Sequence, residues 1–183
     1  ICATPTAGSA GVVSGVLLAV IDRLKLTHQQ QLDFLFTAGA FGLVIANNAS
    51  ISGAEGGCQA EVGSASAMAS AALVAASGGT PDQSAQAVAI TIKNMMGLIC
   101  DPVAGLVEVP CVKRNALGSS QAFISADMAL AGIRSVIPPD EVIHAMYQVG
   151  RQMPQIFKET AEGGLAVTPT AQRLSKEILE KQK

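Results

Sequence analysis

An all-α fold, a compact multi-helix bundle with its Gly- and Pro-rich loops gathered at one end, is predicted by three features of the sequence. Apolar residues recur at helical spacing in segment after segment, and no stretch shows the period-two alternation of a half-buried strand. Hydrophobic residues make up 49% of the 183 positions but aromatics only 3%, so the apolar content is mostly Ala, Val, Leu and Ile. With 18 glycines as well, this composition suits helices that approach closely through small side chains.

Taken in order, residues 1–11 form a small-residue loop that opens a helix over 12–26. Val13, Val16, Leu17, Val20, Ile21 and Leu24 mark its apolar face. Free N–H groups at such a helix start suit a carboxylate or phosphate, and the same small residues also suit a tight helix contact. No Lys-Ser/Thr follows the glycines, so this is not a nucleotide P-loop. Thr27 is a good N-cap for a second helix over 28–46, with Leu32, Leu35, Phe36, Gly39, Leu43 and Val44 expected on its buried side. The polar, glycine-rich loop 47–58 ends on a thiol, Cys58. A helix over 61–77 follows, packed through Ala and Ser and stopped by Gly78-Gly79.

Thr80 and Pro81 start the next helix, as N-cap and first helical residue, and it runs to about Met95. The loop 97–115 then carries Cys100 and Cys111, each beside a proline. Asp101-Pro102 and Gly105 rule out a regular helix across it, and Pro110 leaves Val109 extended. Helices are predicted over 115–136 and, after Pro138-Pro139, over 140–153, the latter carrying Val142, Ile143, Met146 and Val149. The last loop, 163–171, repeats the Thr-Pro-Thr-Ala of residues 4–7, and 171–183 form a short charged helix.

A chain of this length fits one domain, 1–183. It opens on Ile1 inside a loop motif, without a basic segment ahead of an apolar one, so a missing native N-terminal part is expected. A net charge of −2 and a pI near 5.6 give no electrostatic case for nucleic acid or an anionic membrane. Charged residues reach only 14% and mean hydropathy is +0.39, which suggests that a partner chain or domain covers much of the surface. The uncharged runs 34–54 and 62–81 are interrupted by Asn and Ser, so buried helices fit better than membrane spans.

Four cysteines without secretory features point to a reducing compartment and to ligation rather than disulfides. Cys58, Cys100 and Cys111 are separated by 42 and 11 residues, which matches neither zinc-finger nor ferredoxin patterns. Three thiols could hold a cubane cluster with one iron open. Spacing alone favours buried structural cysteines instead.

The segments Asn48–Gly63 and Gly97–Ala116 resemble the signature loops of bacterial iron–sulfur L-serine dehydratases, as do Pro5–Gly11 and Gly163–Thr170. The resemblance spans essentially the whole chain. It implies the catalytic α chain or α domain of an enzyme converting L-serine to pyruvate and ammonia. It further implies a 4Fe–4S cluster on Cys58, Cys100 and Cys111, with an open iron acting as Lewis acid. A smaller α+β partner, a β chain or β domain with a Ser-Ser-x-His-Thr-x-Gly-Pro motif, is implied too, and nothing in this sequence matches that motif. Some relatives end in a cysteine that can occupy the cluster, whereas this chain ends Glu-Lys-Gln-Lys.

Thr6, Ser9, Asn48, Ser50 and Ser52 are the side chains expected to hold the substrate carboxylate and amine. His28 and His144 lie outside the motifs, so the general base is expected on the partner. An oligomer in the cytoplasm is expected. Two other readings stand beside this one: a non-catalytic helical module with structural zinc, and a related dehydratase or desulfidase acting on threonine or cysteine.

Overall fold

The computed structural model describes residues 3–181. Cys2, one of the four sequence cysteines, lies outside them. Eight α-helices follow one another: α1 (Ala10–Ile21), α2 (His28–Asn48), α3 (Gly53–Gly56), α4 (Cys58–Ala76), α5 (Pro81–Met95), α6 (Cys111–Leu130), α7 (Pro139–Gln152) and α8 (Pro169–Lys181). Short 3₁₀ turns lie at Val103–Gly105, Gln155–Phe157 and Gly164–Val167, and the described residues include no strand. The all-α expectation holds. No described helix is long and apolar enough to cross a membrane.

The bundle is built around α4. Every residue from Cys58 to Val74 is buried, so this helix has no solvent face and no reason to be amphipathic. Its Ala, Ser and Gly side chains let α1, α2, α5, α6 and α7 pack against it from all sides. Two apolar clusters meet across it. One joins Val12, Val16 and Val20 of α1 with Ala122, Ala126 and Ala129 of α6; the other joins Ile45, Val88 and Ile92 with Val142, Ile143 and Met146.

The capping signals work as the sequence predicts. Thr27 and Thr80 each accept a hydrogen bond from the backbone N–H three residues on, and Gln30 and Gln83 return the bond. The rotation of α2 is a correction. Phe34, Ala38, Gly42 and Ile45 face inward, while Leu35, Phe36, Leu43 and Val44 are exposed. Both sets have helical spacing, and size decides between them. A Cβ on Gly42 would stand 2.8 Å from Met68 Cε of α4, so only the small Ala38–Gly42 stripe lets the two helices approach this closely.

The helix boundaries also shift. α1 ends at Ile21 rather than at 26, in a turn where Lys25 takes a left-handed conformation. α4 starts at Cys58 instead of 61 and α6 at Cys111 instead of 115. α6 stops at Leu130, short of 136, because Gly132 turns left-handed just beyond it. On α6 the buried stripe is Cys111, Gly118, Ala122, Ala126 and Ala129, and Ile124 is exposed. α7 and α8 begin at 139 and 169.

Candidate metal centre

The three described thiols are free and buried. The sequence reading put all three in loops; the structure starts two helices with them. Gly57, at φ +75°, forms the joint between α3 and α4, so that Cys58 is the first residue of α4. A Cβ on Gly57 would meet Met153 Sδ at 2.7 Å and Leu98 O at 3.0 Å, so strain and space both require glycine. Cys111 opens α6 in the same way, after the cis Val109–Pro110 bond. The open N–H groups and positive dipole end of a helix favour a thiolate over a thiol.

Cys100 is carried by a loop that is pinned from three directions. The buried Gln59 side chain accepts from Gly97 N–H (2.8 Å) and donates to Met146 O (3.0 Å), while Gln59 N–H donates to Leu98 O (2.9 Å). Cys100 N–H itself donates to Phe157 O at 2.8 Å. The ligating atoms of Cys58, Cys100 and Glu61 therefore all lie within 4.8 Å of one another. Cys111 is outside that closest group but near enough to feel the charges of Cys58 and Glu61.

Arg114, one turn into α6, is the guanidinium at this site. Its Nη1 lies 2.8 Å from Asp101 Oδ1 and donates to Ile99 O (2.8 Å) and Cys58 Sγ (3.5 Å). Asp101 Oδ2 accepts from Leu165 N–H at 2.8 Å, which fastens the closing Gly163–Val167 segment to the thiol loop. Asn115 ties in the opening segment. Its Nδ2 donates to Gly8 O (2.7 Å) and Cys111 O (2.8 Å), and its Oδ1 accepts from Gly11 N–H (3.0 Å). These loops do gather at one end of the bundle.

The electrostatics follow from burial and from these contacts. Hydrogen bonding from Cys100, helped by Arg114, lowers the Cys58 pKa, and the same bond raises that of Cys100. Cys58 is thus the more readily ionised of the pair. Burial pushes Cys111 up to about 11. Arg114 stays charged although burial opposes it, because Cys58 and Asp101 supply the countercharge.

Burial raises the Glu61 pKa, and the neighbouring Glu159 carboxylate adds to the effect while the Thr6 hydrogen bond opposes it. The folded chain therefore holds this proton more tightly than the unfolded chain. That contribution to stability is complete below the unfolded value of about 4.5 and is lost as pH rises through the folded value. In the metal-free protein, Glu61→Gln is expected to gain stability relative to the parent as pH rises above that range. Denaturant midpoints across a pH series check this, and a pH-independent difference counts against it.

Of the substrate-site candidates, the structure brings Thr6 and Ser9 to the thiols. Thr6 Oγ1 donates to Glu61 Oε1 and lies 3.0 Å from the fully buried Ser9 Oγ. Asn48, Ser50 and Ser52 are used in local capping. Asn48 Nδ2 donates to Val44 O, Ser50 Oγ to Glu55 Oε2 (2.7 Å), and Ser52 Oγ accepts from Ala54 N–H at the start of α3. Asn48 and His144 border a small cleft between α2 and α7, away from the thiols; His28 is exposed at the start of α2. Ser50 lines a larger cleft of about 390 Å³ with Tyr147, Arg151 and Lys158. Glu61, Gln59, Arg114 and Asn115 were not singled out from the sequence, although each is three or four residues, or one, from a cysteine and so shares its helical turn.

Comparison with known proteins gives a consistent result. Residues 1–166 match the family model described as serine dehydratase alpha chain. The chain is 70% identical over 178 residues to a Bacillus subtilis protein named probable L-serine dehydratase, alpha chain, a match covering 97% of this chain and 59% of that one. It is 60% identical to a protein of the same name from Latilactobacillus sakei, covering 97% of this chain and 85% of that one. It is 43% identical over 166 residues to L-serine dehydratase 1 of Escherichia coli, covering 89% of this chain and 36% of that one. The chain thus spans about three fifths of the Bacillus relative and little over a third of the Escherichia relative.

Proposed function

The chain belongs to the serine dehydratase alpha-chain family, and on that premise we propose that it is the catalytic part of an L-serine dehydratase. Serine loses its α-proton and its β-hydroxyl as water; the resulting enamine tautomerises and is hydrolysed to pyruvate and ammonia. The hydroxide is a poor leaving group and the α-proton a weak acid, so both ends of the reaction need help.

The donor set fits a 4Fe–4S cluster. Cys58, Cys100 and Cys111 would hold it, soft thiolates on buried, pinned backbone. When bound, a cluster held by three thiolates leaves one iron free to polarise the β-hydroxyl and carboxylate as a Lewis acid. The protein's own groups do the rest. Arg114 offsets thiolate charge at Cys58 and fixes the Cys100 loop through Asp101 and Ile99 O. Thr6 and Ser9 border the same space from the opening segment. On this reading the base for the α-proton lies on the part of the enzyme that this chain does not span, because His28 and His144 lie outside the matching motifs. That part is a β chain or β domain, and the exposed apolar face of α2 is consistent with a partnered or oligomeric protein.

The observation that carries this reading is the convergence of Cys58 and Cys100 with Glu61 beside the opening segment, on a chain matched by the family over 166 residues. Anaerobic reconstitution with the partner is the test. About four irons per chain and pyruvate release from L-serine are expected, and Cys100→Ser is expected to lose more than about 100-fold in activity together with its iron. Stoichiometric zinc without lyase activity, or no iron at all, would overturn the proposal. Turnover of threonine and cysteine by the same preparation fixes the substrate.

A further inference from the structure

Glu61 is a carboxylate that lacks a countercharge. It is only 8% exposed, yet the charge that acts on it is that of a second carboxylate, Glu159. Arg114 is committed to Asp101, Ile99 O and Cys58 Sγ. Thr6 serves Oε1, and Oε2 accepts no hydrogen bond from any described residue. A buried carboxylate left this way is costly unless a cation arrives to pair with it.

Two glycines from different segments pack closely against it. A Cβ on Gly8 would stand 2.5 Å from Oε1. A Cβ on Gly53 would stand 3.0 Å from Oε2, 3.2 Å from Cys100 Sγ and 3.6 Å from Glu159 Oε2. Gly53 has an ordinary backbone conformation, so space rather than φ accounts for the missing side chain. Two carboxylates and a thiol therefore meet beside Gly53, with no cation among them. A Glu61 carboxylate oxygen also lies within 4.8 Å of the Cys58 and Cys100 sulfurs.

We propose that Glu61, oriented by Thr6, binds the α-ammonium group of the amino-acid substrate and so selects an amino acid over the corresponding hydroxy acid. The proposal rests on the serine dehydratase reading and adds a subsite to it. An ammonium brings three donors and one positive charge, which Oε2 and Glu159 can accept. With the amine fixed there, the carboxylate and β-hydroxyl of the same small molecule are left to face the thiols.

The test uses the anaerobically reconstituted complex, with L-serine as substrate and 3-hydroxypropanoate, which is serine without its amine, as inhibitor. Glu61→Gln is expected to raise the serine KM by about 10- to 100-fold, the range for a lost charge-assisted hydrogen bond. Inhibition by 3-hydroxypropanoate and iron per chain should stay within about twofold of the parent, on the same principle that neither involves the removed charge. Glu61→Asp keeps the charge and should fall between the two. An unchanged serine KM, or equal weakening of serine and 3-hydroxypropanoate, would sink the assignment. So would loss of iron from Glu61→Gln, which would make Glu61 a metal ligand instead. A parent complex without iron or activity would fail the proposed function itself and is read before any variant.

Discussion

Arg114→Leu is expected to cost about 3–5 kcal/mol of stability, the range for breaking a buried ion pair from one side. The Asp101 side chain is 3% exposed and that of Arg114 14%, so little water can replace the lost guanidinium. Asp101 would keep one donor, Leu165 N–H, while Ile99 O and Cys58 Sγ would each lose theirs. Denaturant unfolding of the metal-free protein measures the loss. Adding Asp101→Leu to Arg114→Leu is expected to recover part of it, because the unpaired buried charge is then gone as well. A single-variant loss below about 1 kcal/mol would place the pair in the class of exposed bridges and refute its role as the clasp between α6 and the thiol loop. The exposed Arg134–Asp82 pair supplies the contrast within the same molecule.

Gly118→Val is expected to cost about 1–3 kcal/mol through overpacking and, on the proposed function, to lower iron loading as well. A Cβ there would stand 2.5 Å from Ser66 Oγ, 2.9 Å from Val62 Cγ1 and 3.2 Å from Val12 Cγ2, so α1, α4 and α6 close on one point. Ser66 Oγ cannot easily swing away, because it is bonded to Val62 O at 2.6 Å. The usual gain of roughly 0.5–1 kcal/mol from removing a helical glycine is too small to offset three such contacts. Cys111 lies two turns earlier on the same face of α6, and Cys58 one turn before Val62 on α4. Forcing the helices apart at Gly118 therefore moves two thiols relative to each other. Melting temperature and iron per chain check the two halves of this expectation, and a variant as stable and as well loaded as the parent would show that the crossing is not tight.

Much of the fold was legible because it is written in local chemistry. The caps at Thr27 and Thr80, Pro81 at the first helical position and the Gly78-Gly79 stop act within four residues of themselves, and the structure places them accordingly. The α2 face was misread for the opposite reason. Leu35, Phe36, Leu43 and Val44 are the more hydrophobic set, but the choice belonged to α4, whose Met68 needs the Gly42 groove. The helix starts at Cys58 and Cys111 were missed by three and four residues. Glycine and proline announce a break without saying on which side of it the next helix begins.

What the sequence determined by itself was the all-α class, the order of the helices, and the three thiols as the residues worth following. The tertiary structure alone decided that Cys58 and Cys100 meet Glu61, that Arg114 faces Cys58, and that Asn48 and Ser50 bond within their own segments. The physical reason is range. Helix signals act through bonds between near neighbours, whereas the site is assembled by contacts across 42 to more than 60 residues, such as Cys58 with Cys100 and Leu165 with Asp101. Those depend on how closely α1, α4 and α6 can approach, and that approach is set by the absence of a side chain at Gly118.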